Sequence, residues 1–162
     1  MAWLGTDFVS NGPLARRVDP DGKEFVYVKS TAGVDKDTPC IVQINDDATY
    51  RGYFATAMAD SVAGSITSYG ALVGVPEEGM GSIVAGGHGW VQVVGARADV
   101  QFGAALVTGS VGHAVEWSIA AVGAQGSAYV GGQHQFGILT EGVTASTTAN
   151  IFLTGKLSAG TS

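Results

Sequence analysis

Residues 81–103, GSIVAGGHGWVQVVGARADVQFG, carry the pattern that decides the fold class. Trp90, Gln92 and Val94 alternate with Val91 and Val93 until Gly95 interrupts. Beyond the break, Ala98, Val100 and Phe102 alternate with Arg97, Asp99 and Gln101, small or apolar against polar. Period two of this kind belongs to a half-buried strand, because successive side chains of extended backbone point to opposite faces. The cluster Gly86-Gly87-His88-Gly89 just before it reads as a tight entry, with Trp90 as a core anchor.

Outward from that stretch the same signal recurs. Residues 24–29 (EFVYVK) form a strand rich in aromatic and β-branched residues, and residues 38–44 form another after the polar loop 31–37. Together they suggest an early hairpin. Residues 45–64 stay open between two readings. Tyr50, Tyr53, Phe54, Ala57 and Met58 fall at helical spacing, with Asn45 or Asp46 as a cap, whereas Tyr50, Phe54 and Met58 also share one face of a strand. Further strands are expected over 104–108, 113–119, 127–130, 136–140 and 150–154, separated by short glycine-bearing turns. The fold class is all-β: a compact sandwich or small, jelly-roll-like barrel with at most one short helix. Residues 1–22 read as an extended N-terminal arm and 23–162 as one β domain. Trp90, Val100, Phe102, Trp117, Phe136 and Phe152 are the expected core anchors.

Composition excludes several functions. The net charge is −6 and only 14% of residues are charged, against about 25% in ordinary soluble proteins. An acidic chain whose only adjacent basic pair is Arg16-Arg17 lacks the clustered basic surface that nucleic acid requires. The charge-free run 117–140 is long enough for a membrane span, but its glycines and glutamines argue against lipid exposure. The N-terminus has no signal-like apolar core, so synthesis without export is expected.

Catalytic constellations fail one by one. Cys40 stands alone between apolar neighbours, which excludes an intrachain disulfide and fits a buried hydrophobe better than a nucleophile. His88, His113 and His134 lack the clustered His-x-His and nearby Glu of a cupin-like metal site. No Gly-x-Ser-x-Gly elbow or phosphate-cradling loop is present. Asp19-Pro20-Asp21-Gly22 reads as a turn rather than a calcium loop, and Glu77-Glu78 as a solvated loop rather than an acid/base couple. No catalytic residue, cofactor or metal is expected.

Two features bear on interaction. Only Glu116, Glu141 and Lys156 are charged from residue 100 onward. Such a face is either buried against other subunits or simply neutral, and the first reading is preferred because interfaces are depleted in charge. Trp3 and Phe8, with Arg16 and Arg17, make the arm the candidate interface.

The strings ALVGVP (71–76), GWVQVVG (89–95), FGIL (136–139) and IFL (151–153) resemble the head decoration, or cement, proteins of tailed bacteriophages, over residues 65–155. That resemblance implies a small, β-rich, non-enzymatic virion protein, made in the host cytoplasm and seated on the outer capsid surface. Its implied partners are the major capsid protein of the same virus and further copies of itself in a symmetric oligomer, a trimer in preference to a dimer, with the dimer left open. A carbohydrate- or receptor-binding β-sandwich of a virion is the alternative, with Trp90 and Trp117 as binding aromatics. A cupin-like metalloenzyme is the third reading.

Overall fold

A computed structural model describes residues 15–46, 51–57, 72–106, 109–117, 124–125 and 134–158. Among them there is no helix. Ten strands follow one another as β1 (Arg16–Val18), β2 (Glu24–Ser30), β3 (Cys40–Asp46), β4 (Arg51–Ala57), β5 (Leu72–Pro76), β6 (His88–Leu106), β7 (Ala114–Trp117), β8 (Ala124–Gln125), β9 (His134–Leu139) and β10 (Ser146–Ser158). The run β2–β4–β3–β5–β6 returns to β2, closing a five-stranded barrel. Every pairing in that ring is antiparallel except β2 with β4. β6 then leaves the barrel, and its second half pairs with β10, which carries β9, β7 and β8 as an open extension sheet.

Alternation along the barrel strands fills its interior with Val26, Val28, Cys40, Val42, Tyr53, Ala55, Val91 and Val93. Five strands enclose little space, so these side chains are mostly small. Val34 and Ile83 join the same cluster from the β2–β3 and β5–β6 loops, bridged by reciprocal backbone hydrogen bonds of 2.8 and 2.9 Å. A second core lies outside the barrel wall. Ile41, Val73 and Val75 meet Val100, Phe102, Val115, Phe136, Leu139, Ile151 and Leu153 of the extension sheet. β3 and β5 are therefore covered on both faces, which is why they read as continuous apolar runs. Gly74 marks the tightest approach in that wall: a Cβ there would lie 2.4 Å from Val91 Cγ1 and 2.6 Å from the Gln92 carbonyl.

Two irregularities in β6 connect the layers. Gly95, at φ +104°, takes a conformation that side chains disfavour, and buried Gln92 spans it by donating from Nε2 to the carbonyls of Val94 (3.2 Å) and Ala96 (3.0 Å). Four residues on, Asp99 sits at φ 52°, and the β6–β10 register jumps between Val100↔Ala149 and Arg97↔Ile151. Asn150 faces this bulge and accepts the Asp99 N–H on Oδ1 at 3.0 Å. The bulge shifts the phase of the strand. Simple alternation runs from Val91, Val93 and Gly95 to Arg97, which is buried with Ala98 exposed, and beyond the bulge Val100 and Phe102 take the inward positions.

Several other expectations need correction. Residues 15–22 are not free arm: β1 pairs with β2 across the turn at Asp19–Gly22, where Gly22 N donates to Asp19 O (2.9 Å). Lys23 hydrogen-bonds to Asp21 there and holds its carboxyl below the ordinary value. β2 and β3 do not form a hairpin; β3 folds back on β4, and β4 then lies parallel to β2. Of the open segment, residues 51–57 are strand. Phe152 is not a core anchor. Ile151 and Leu153 point inward on β10, so Phe152 between them faces outward and stays 44% exposed. Trp90 belongs to neither core, because Val91 and Val93 take the inward positions of β6 and leave it half-buried on the barrel's outer wall. Val100, Phe102 and Phe136 are buried in the second core. Trp117 closes β7 opposite His134 and Ala124, its side chain outside the described part.

Candidate functional site

The extension sheet buries one face and bares the other. Its register aligns Ala96 of β6 with Phe152 of β10, Phe152 with Ile138 of β9, and Ile138 with Ala114 of β7. These four make a row across the outward face, in which Phe152 is 44% and Ile138 40% exposed. Single exposed apolar residues are ordinary, but a row of cross-strand neighbours is a patch. Thr140, Thr154 and Ala98, all exposed, add no charge around it. The nearby carboxylate, Glu141, is turned to Asn150 and accepts from its backbone N (2.7 Å) and Nδ2 (3.1 Å). Sequence reading located the charge depletion but assigned Phe152 to the core. The missed signal was IFL flanked by alternating Thr and Asn, in which only two of three apolar residues can share a face.

The charged groups gather at the opposite junction, where β6 leaves the barrel. Arg97, its side chain 2% exposed, pairs through Nη2 with Asp37 (2.5 Å) and through Nη1 with Glu78 (3.2 Å), and donates to the Pro76 carbonyl (3.2 Å). Arg17 pairs with Glu77 and lies 3.0 Å from Asp19 through Nε. That 3.0 Å contact is an ion pair without hydrogen-bond alignment, which leaves Arg17 Nε, like Arg97 Nε, without a hydrogen-bond partner. The neighbouring glutamates are thus held by two arginines from different strands, and Glu77 is only 22% exposed rather than solvated. Beside Arg97 lies a cleft of about 360 Å³ lined by Lys36, Asp37, Glu77, Glu78, Arg97 and Asp99, with no Ser, Cys or His on its wall. Within it Arg97 is paired with both Asp37 and Glu78, which suits a structural junction better than nucleophilic chemistry.

The candidate interface residues separate. Trp3 and Phe8 lie outside the described residues. Arg16 is exposed, its guanidinium 5.9 Å from the Tyr53 ring. Arg17 is engaged within the chain: besides its ion pairs, it lies over Phe25 (4.1 Å) and Trp90 (5.1 Å). Trp90 in turn packs edge-on against Tyr27, ring centres 5.2 Å apart.

His88 is exposed on β6 and stacks on Tyr27, while His113 precedes β7 and accepts the Ser110 N–H on Nδ1 at 3.3 Å. Among the described residues no three His, Cys, Asp or Glu side chains are placed to hold a metal. Cys40 is fully buried in the barrel, and loss of solvation pushes its thiol up to about 12. No protein-family model matches the chain, and neither a curated protein nor a solved structure matches it.

Proposed function

We propose that this chain is a non-enzymatic decoration protein of a tailed-phage head, binding the outer capsid surface as a symmetric oligomer and stabilising the shell. The observation that carries the reading is the uncharged outward row Ala96–Phe152–Ile138–Ala114 on the extension sheet. It offers an aromatic anchor ringed by small and hydroxyl side chains, the composition of an interface core rather than of a solvated surface. The resemblance in residues 65–155, which includes β5, β6, β9 and most of β10, supports the same assignment. Cementing needs no chemistry: a ligand that binds only the intact shell stabilises it in proportion to the logarithm of its saturation.

The decisive experiment heats purified, undecorated shells with and without saturating protein. A raised disruption temperature that Phe152→Ser abolishes is the expected result. An unchanged disruption temperature at saturation would remove the proposal.

A further inference from the structure

We propose that the outer wall of the barrel, where β2 and β6 run side by side, binds a neutral saccharide. Tyr27 stands directly opposite Trp90, and Lys29 directly opposite His88. Residues two apart on a strand share a face, so these four side chains form one block on the solvent side, about 7 Å along the strands and 5 Å across. That is the scale of a single sugar ring. Tyr27 and His88 lie nearly parallel, 14° between planes with centres 5.9 Å apart, and Trp90 braces Tyr27 at 64°.

Aromatic faces are electron-rich, and the C–H groups of a hexose pack against them at low entropic cost because the rings are already held. The tyrosine hydroxyl and the imidazole put polar atoms on the block, while the Lys29 ammonium lies over the Phe54 ring, 5.9 Å from its centre. Charge selects the ligand class. Arg17, which lies over the Trp90 ring and leaves Tyr27 and His88 as the open part of the block, is neutralised by Asp19 and Glu77. The chain as a whole carries −6. A polyphosphate would meet few unopposed cations, whereas a neutral polyol has no such requirement. The aromatic block is separate from the Phe152 row, so the inference stands whether or not the protein decorates a shell.

The test uses the free protein against immobilised neutral and acidic oligosaccharides, with oligothymidylate alongside. Neutral hexose chains should bind and shift the Trp90 indole signal. Tyr27→Leu should weaken binding about tenfold, the worth of one stacked ring. His88→Ser, at an exposed position, should weaken it with the fold intact by circular dichroism. The proposal fails if the folded protein retains no neutral glycan, if both variants bind as well as the parent, or if only acidic glycans or oligothymidylate bind.

Discussion

The barrel and the extension sheet share β6 yet solve the same problem with different materials. The barrel buries valines, Cys40, Ala55 and Tyr53 inside a closed ring and puts aromatics and ion pairs on its outside: Phe25 under Arg17, Tyr27 against Trp90, Arg17 to Glu77. The sheet buries Phe102, Phe136, Leu139, Ile151 and Leu153 against the barrel wall and shows Phe152 and Ile138 to solvent. A closed ring has no edges to protect and can keep its outer wall polar. The open sheet has large side chains on both faces, and among the described residues only one face is covered. The contrast teaches that burial demand and charge depletion point to the same half of the molecule.

The largest effect should come from the layer between the two regions. Phe136 is 0% exposed and sits among Ile41, Val73, Val75 and the sheet's inward residues. Phe136→Ala should lower the unfolding free energy by about 3–5 kcal/mol, measured from urea midpoints. A loss below about 1 kcal/mol would mean that sheet and barrel do not share a core as described.

A second perturbation probes the barrel alone, through pH. Cys40 has its thiol raised from an ordinary 9.0 to about 12 by burial. Between those values the unfolded chain has lost the proton and the native one keeps it. The native state therefore binds more protons, and stability falls as pH rises. The slope is about 1.4 kcal/mol per pH unit, and the thiol's full contribution is lost by about pH 12. Comparing denaturation at pH 8 and pH 10 for the parent and for Cys40→Ala isolates it. The parent should lose about 1.4 kcal/mol more than the variant over that interval. Parallel pH dependences would show that the thiol is not enclosed by the ring.

Parts of this contrast were written plainly in the sequence, and others were not. β2, β3, β5 and the first half of β6 are legible because their alternation or apolar runs are local. The Asp19–Gly22 turn and the buried nature of Cys40 follow from neighbours in the chain. Where the phase of β6 changes was not legible, since it depends on Asn150 facing Asp99 across the sheet, 51 residues away. The parallel β2–β4 pairing escaped for the same reason, being a long-range closure with no local sign. Glu77 and Glu78 look like a solvated pair until Arg17 and Arg97 arrive from β1 and β6. Of the outward row, the lack of charge could be read but not its apolar members. Phe152 differs from Ile151 and Leu153 only in which way the strand turns it.

That last distinction gives the smallest expected effect on stability and the most discriminating one on function. Phe152 keeps nearly half its surface in water, so Phe152→Ser forfeits little burial and should change unfolding free energy by about 1 kcal/mol or less. Leu153→Ser, one residue along, opens a fully buried site and introduces an unpaired hydroxyl, which should cost at least about 2 kcal/mol. If the outward row is an interface, Phe152→Ser should also move sedimentation from oligomer to monomer at micromolar protein while leaving the denaturation midpoint nearly in place. If the two substitutions are equally destabilising, the sheet's outer face is covered by its own chain. The charge-poor half would then be a second interior rather than a docking surface.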